Sequence, residues 1–177
     1  MTNLSFTNLV LGAWLLIVVI RRQIAPRVIR FKANFYLLII LLGMASIGDA
    51  FTKQHLHITP VQAVIFGVLS LVSAIVFALL RAWTYHLWVN EDGLVMRQGS
   101  WLTILWWVLG IGVHLGVDQL WTGSSASLLL YLGVTLAVQR GWVWWLARRA
   151  YPTEIQANLR QQSAEHRHHE RRSRRER

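Results

Sequence analysis

Hydrophobic residues in this chain of 177 residues gather into five long runs, and short segments between the runs hold most of the charged residues. A helix needs about 20 apolar residues to cross a hydrocarbon layer about 30 Å thick, and each run is close to that length. The pattern predicts an all-α fold, a polytopic membrane bundle of five transmembrane helices. The predicted spans are residues 4–20, 33–52, 61–80, 102–121 and 126–146, which together form a transmembrane domain over residues 1–149.

Composition favours the same location. Hydrophobic residues make up 54% of the chain and charged residues 15%, against roughly 25% charged residues in soluble domains. The first run, residues 4–20, has no basic segment before it and no small-residue cleavage site after it. We therefore interpret this run as a retained helix and not as a signal peptide.

Lysine and arginine alternate between rich and poor segments. Five lie in residues 21–32, one in 53–59, two in 81–101, none in 122–125 and nine from residue 148 onward. Because cytoplasmic loops carry the excess of these residues, we predict a multi-pass cell-membrane protein with its N-terminus outside and its C-terminus in the cytoplasm. Tryptophans prefer the membrane–water interface. Those near predicted span ends are Trp101, Trp121, Trp142, Trp144 and Trp145.

Residues 150–177 form a basic tail. Thr153 and Gln156 have the spacing of a capping box, so a helix is predicted from Glu154 onward. No apolar residue follows Glu165, and we predict that the tail is disordered beyond it. Contact with anionic lipid headgroups is the favoured role, and it accounts for the net charge of +10 without nucleic acid as a partner. Nucleic-acid or ribosome contact is one alternative, and weak metal capture by a histidine tract is the other. That tract is His166, His168 and His169.

The segment between the third and fourth runs has the pattern of a β-hairpin. Alternating residues from Trp83 to Val89 lead into Asn-Glu-Asp-Gly at residues 90–93, and Leu-Val-Met follows. An Asp-Gly turn flanked by aromatic and β-branched residues is a hairpin signal. We predict a short cytoplasmic hairpin that packs against a helix or the membrane face, because an isolated hairpin is only marginally stable. A structural lid is the favoured interpretation, and a partner-docking site is the alternative.

The sequence around this hairpin carries a family resemblance. Its features are Leu79-Leu80-Arg81, Trp83, Trp88, Glu91-Asp92-Gly93-Leu94-Val95 and Arg97. With the basic first connection and a glycine-containing second run, the layout of residues 21–118 resembles the CcdC-like family of small bacterial integral membrane proteins. The resemblance implies a link to cytochrome c maturation and assigns no catalytic residue. The chain has no cysteine, which excludes thiol–disulfide exchange but leaves a supporting role in assembly open.

Ionisable residues within predicted spans are rare and are candidates for function. Asp49 lies near the outer end of the second run, and His114 and Asp118 share one face of the fourth because they are four residues apart. His55 and His57 lie in the short outer connection. These five residues are the candidates for an ion or metal site. The favoured interpretation is that the aspartates reach water separately and His114 is hydrogen-bonded inside the bundle. A proton or cation site is one alternative, and a metal or haem site is the other, with His114 as axial ligand.

Arg140 lies within the fifth run. It cannot pair with Asp118, because roughly ten residues of depth separate the two, or about 15 Å at the rise of a helix. Its side chain can extend toward the cytoplasmic headgroups or donate to backbone carbonyls, and a structural role is favoured over headgroup binding. The candidates for contact with anionic lipid headgroups are Arg21, Arg22, Arg140, Arg148 and Arg149.

The chain lacks the phosphate-binding loop, dinucleotide fingerprint, zinc-protease pair and nucleophilic-serine elbow of common enzymes. We therefore expect a non-catalytic integral membrane protein with an accessory, assembly or regulatory role and no cofactor. Its expected partners are membrane lipids and either another membrane protein or a second copy. One alternative is a small proton or cation transporter or channel that uses the outer Asp and His residues. The other is a haem- or quinone-binding redox subunit.

Overall fold

The computed structural model describes residues 21, 23–30, 32–53, 59–119 and 127–175, so the first predicted span, residues 4–20, lies outside the described part. Within that part the chain forms five helices and three strands. The helices are α1 (Ala33–Lys53), α2 (Pro60–Trp83), α3 (Trp101–Asp118), α4 (Leu128–Ala150) and α5 (Glu154–Arg175). The strands are β1 (Arg27–Val28), β2 (His86–Val89) and β3 (Val95–Gln98). The fold is thus dominated by α-helix, as predicted.

Three helices are long and apolar enough to cross a membrane, namely α1, α2 and α3. They correspond to the second, third and fourth predicted spans. The fifth predicted span is helical as α4 but is not one of the three, because Gln139 and Arg140 interrupt its apolar sequence. Five spans were predicted, and three candidates are found in the described residues.

The described bundle is built around α4. This helix packs along both α1 and α2, and α2 also packs against α3. The approach of α1 and α4 is close, since a Cβ on Gly43 would collide with the backbone of Leu130. Thr135 and Gln139 of α4 are fully buried. These polar residues lower the hydropathy of α4 below that of the helices around it. The fold tolerates them because their side chains contact protein.

The outward faces of α1, α2 and α3 are apolar. Monomeric soluble proteins rarely expose such large continuous apolar surfaces, whereas lipid covers them readily. Side chains that are at least half exposed include Leu37 and Leu41 on α1, Val61, Val64 and Val68 on α2, and Leu102 and Val108 on α3.

The strands form a small antiparallel sheet in the order β1–β3–β2. The hairpin of β2 and β3 is confirmed, with His86 opposite Gln98. Gly93 in its turn has φ 72°, in the left-handed region that favours glycine. The third strand, β1, was not predicted. It comes from the basic first connection and places Arg27 opposite Arg97.

Helix α5 packs on this sheet through Ile155 and Asn158, which are both buried. The side-chain amide of Asn158 donates to the carbonyl oxygens of Ile29, at 3.1 Å, and Val95, at 2.9 Å. Its oxygen accepts from the backbone N–H of Val95 at 2.9 Å. We call the sheet, α5 and the adjoining end of α4 the sheet end of the molecule.

The start of α5 at Glu154 is confirmed, but the capping differs from the prediction. The hydroxyl of Thr153 donates to the carboxylate of Glu154 at 2.8 Å, and the N–H of Gln156 donates to the carbonyl of Thr153. Disorder was predicted beyond Glu165, whereas the helix continues to Arg175. Two contributions account for the longer helix. Glu165 pairs with Arg30 through two hydrogen bonds of 2.6 Å, and the arginines and glutamate that follow are good helix formers.

Candidate functional site

A chain of four polar side chains lies between α2, α3 and the start of α4, at the end of the bundle away from the sheet. His114 is fully buried, with Nδ1 3.2 Å from the hydroxyl of Ser70 and Nε2 3.3 Å from that of Ser127. The hydroxyl of Ser127 donates to Oδ1 of Asp118 at 2.8 Å. Asp118 and Ser127 are each only 3% exposed. The shared helix face predicted for His114 and Asp118 thus meets one serine of the next helix.

Counting the available protons gives a direction to the hydrogen bonds that link the four polar side chains. A serine hydroxyl has one proton, and Ser127 uses it on Asp118, so the oxygen of Ser127 must accept from Nε2–H of His114. In neutral histidine the other nitrogen, Nδ1, is then an acceptor, and Ser70 is its donor. The tautomer is therefore assigned from the hydrogen bonds. The protons point from Ser70 through His114 and Ser127 to Asp118.

The imidazole of His114 is also held by aromatic contacts. It stacks on Tyr131 with ring centroids 4.0 Å apart and an angle of 15° between the planes. The hydroxyl of Tyr131 donates to the carbonyl of Gly110 at 2.9 Å, which fixes the stacked ring. Because both nitrogens of His114 have hydrogen-bond partners, ligation of a haem iron would require one of these bonds to break.

The other candidates for an ion site are placed differently. Asp49 is exposed on α1, a helix that packs mainly against α4, and His55 and His57 lie outside the described residues. Within residues 21–175, as far as they are described, no three His, Asp or Glu side chains come close enough to hold a metal ion. The geometry joins His114 to Asp118 and supplies no metal-binding set there.

A cavity of about 270 Å³ adjoins the polar chain. It lies between α1, α2 and α4, and its wall is mainly apolar, with Phe51, Phe66 and Leu130 among the lining residues. Ser70 and Ser127 also line it, so two residues of the polar chain border this space. The sequence analysis did not find either serine, because serines in apolar helices and short connections are common.

A second polar centre surrounds Tyr85 at the sheet end. The phenol of Tyr85 donates to Oε1 of Gln23 and accepts from Nε2 of Gln139, both at 3.1 Å. Burial raises the pKa of the Tyr85 phenol above its ordinary value. The phenol therefore keeps its proton and remains a hydrogen-bond donor over the physiological pH range.

The guanidinium groups of three arginines lie near Tyr85. The Cζ atoms of Arg97 and Arg140 lie 5.2 Å and 5.9 Å from the centre of the Tyr85 ring. Arg81 is fully buried at the end of α2, with its Cζ 4.0 Å from the centre of the Trp107 ring. Of these three arginines, only Arg140 was predicted from the sequence to contact lipid headgroups. Arg81 and Arg97 were counted as charges of the third connection and as features of the family resemblance, although Arg81 directly continues an apolar run.

The remaining lipid-headgroup candidates are peripheral. Arg148 and Arg149 are exposed in the last turn of α4, and the Cζ of Arg149 lies 5.4 Å from the Trp145 ring. Arg21 is exposed, and Arg22 lies outside the described residues. Arg21, Arg148 and Arg149 therefore reach solvent, unlike the buried Arg81.

Comparisons of the chain with protein-family models, with curated proteins and with solved structures find no match. The resemblance to the CcdC-like family is therefore not tested by any of them.

Proposed function

We propose that this chain is a five-span cell-membrane protein with its N-terminus outside and its C-terminus in the cytoplasm. Three apolar helices with lipid-suited outer faces support this proposal, and residues 4–20 supply the apolar length for one more span. In it α4 is the central span, shielded from lipid by α1 and α2. The alternation of basic segments then puts the sheet end in the cytoplasm and His114 in the outer half.

Within that topology, we propose a non-catalytic accessory, assembly or regulatory role. The sheet end is the observation that carries this proposal. Three separate segments contribute to one folded unit, and its core joins Val95 of β3, Ile155 of α5 and Ala147 of α4. Such a unit presents a fixed surface beside the membrane, which is what a protein partner or a second copy needs for docking. A support role in assembly is also compatible with the resemblance to the CcdC-like family.

The topology prediction is tested with single cysteines, since the chain has none of its own. Glu91→Cys lies on the exposed hairpin turn and should react with a membrane-impermeant maleimide only after the cells are permeabilised. Ser124→Cys lies in the short connection between the fourth and fifth runs and should react in intact cells. The reverse labelling pattern would overturn the orientation.

The accessory role is tested on the exposed face of α5, which includes Leu159 and Arg160. We expect the wild-type protein, purified from membranes in mild detergent, to retain a stoichiometric protein partner or a second copy. Leu159→Glu should remove that partner without changing thermal stability, because the side chain is already exposed. Glu91→Lys, on the hairpin turn, is the matched control and should keep it. A monodisperse, partner-free wild-type protein would contradict the proposal.

One observation favours a second candidate, a small proton or cation transporter or channel. The chain from Ser70 through His114 and Ser127 to Asp118 is continuous, and hydroxyl, imidazole and carboxylate groups are able to relay protons. Proton flux into liposomes that contain only this protein, abolished by His114→Ala, would favour this candidate over the accessory role. The redox alternative is checked by visible absorption of the purified protein.

A further inference from the structure

Two arginines next to the sheet end have buried nitrogens without hydrogen-bond partners among the described residues. They are Nε, Nη1 and Nη2 of Arg81 and Nη1 of Arg140. The ring of Trp107 stabilises Arg81 through a cation–π contact but accepts no strong hydrogen bond from it. A buried cation without acceptors is costly, so this centre favours the approach of an anion.

Positive charge accumulates here, and the described residues supply no carboxylate to balance it. Arg97 lies on β3 beside Tyr85, and its cross-strand neighbour on β1 is Arg27. Like charges directly opposite each other in an antiparallel pair destabilise a sheet unless something screens them. The salt bridge found in the described part of the chain joins Arg30 to Glu165, so none of these arginines has a carboxylate within ion-pair distance there.

We propose that this arginine cluster, defined as Arg27, Arg81, Arg97 and Arg140, binds a phosphate group. The planar guanidinium fork matches phosphate oxygens in a bidentate geometry that a single ammonium group cannot reproduce. Arg97 and Arg140 are partly exposed and make the direct contacts. Arg27 flanks them on the neighbouring strand, and the buried Arg81 adds fixed positive charge that interacts with Tyr85.

An anionic phospholipid is the favoured source of the phosphate. Arg81 lies in the last turn of α2, where the apolar helix faces end and the sheet begins. Trp83 and Trp101 are 66% and 70% exposed at this same boundary, and exposed tryptophans mark the headgroup level of a bilayer. The choice of lipid rests on the proposed membrane topology, whereas the phosphate site does not.

The test uses the full-length protein in nanodiscs of phosphatidylcholine with increasing phosphatidylglycerol, and native mass spectrometry counts the lipids retained. We expect one phosphatidylglycerol to be retained in preference to phosphatidylcholine. The double substitution Arg97→Gln with Arg140→Gln should weaken that preference at least about tenfold, because it removes two charge-assisted donors. The control Lys32→Gln removes an exposed charge outside the cluster and should change that preference less than about twofold.

Two further measurements distinguish a lipid from a soluble phosphate compound and test the guanidinium geometry. Inorganic phosphate that displaces phosphatidylglycerol supports a phosphate site. Phosphate binding without any preference for phosphatidylglycerol would identify a soluble phosphate compound as the source and overturn the lipid assignment. If the glutamine pair does not fold, Arg97→Lys with Arg140→Lys keeps the charge and removes the fork, and it should still weaken binding. Equal retention of both lipids together with no phosphate binding would overturn the site, and cysteine labelling tests the topology separately.

Discussion

Asn158→Ala should lower the free energy of unfolding of the protein by about 3 kcal/mol, because a buried polar group without a partner costs about 1–3 kcal/mol and more than one is left behind. The substitution removes both hydrogen bonds to Val95 and the one to Ile29. Tryptophan fluorescence during denaturation in mild detergent measures the change. The effect should be larger than that of any exposed substitution on α5.

Two variants of the same helix sharpen this prediction. Gln156→Ala, at an exposed position, should change stability by less than about 0.5 kcal/mol. Asn158→Asp keeps an acceptor for the N–H of Val95 but turns a carboxylate toward two carbonyl oxygens, so it should destabilise at least as much as alanine. If Asn158→Ala has the stability of the wild type, α5 is not docked on the sheet.

The docking of α5 matters for the proposed function because one side chain connects three parts of the sequence. Asn158 holds the residue after β1 and the first residue of β3 to the tail helix. Loss of this contact releases the exposed face of α5 from a fixed position. A partner that recognises the sheet end should therefore bind Asn158→Ala less well than it binds Gln156→Ala.

Regular patterns made the larger elements predictable. An apolar run of about 20 residues predicts a helix whatever its neighbours are, which holds for α1, α2 and α3. The hairpin was predictable because Gly93 and the alternating residues beside it give a local signal. Strand β1 has only two residues, too few to show a period, and it exists because β3 offers it an edge.

In the candidate sites, too, local spacings were predictable from the sequence and contacts between distant segments were not. The spacing of four residues predicted that His114 and Asp118 share a face. Ser70 lies 44 residues before His114, so their contact depends on how α2 and α3 pack and has no local signature. The arginine cluster is equally non-local, since its members come from β1, α2, β3 and α4. The tail helix differs from its prediction because Arg30, far away in sequence, supplies a partner for Glu165.

Ser127→Ala should destabilise the protein by about 3 kcal/mol, because it removes the donor to a buried carboxylate and the acceptor for His114 together. Hydrogen bonds to charged groups contribute about 1.5–3 kcal/mol, and here a second bond is lost with the first. The same denaturation in mild detergent measures this change. Ser163→Ala, at an exposed position on α5, is the control for the loss of a hydroxyl.

A double-mutant cycle then separates a coupled chain from independent residues. Asp118→Asn keeps the shape and removes the charge, so the cost of Ser127→Ala should fall in that background, with a coupling energy of about 0.5–3 kcal/mol. Asp49→Asn combined with Asp118→Asn should instead be additive within about 0.5 kcal/mol, since Asp49 is exposed on a helix that packs mainly against α4. Additivity in the first cycle would show that Ser127 and Asp118 act separately. Strong coupling in the second would restore the wider acidic cluster that the sequence suggested, and it would favour the transport alternative.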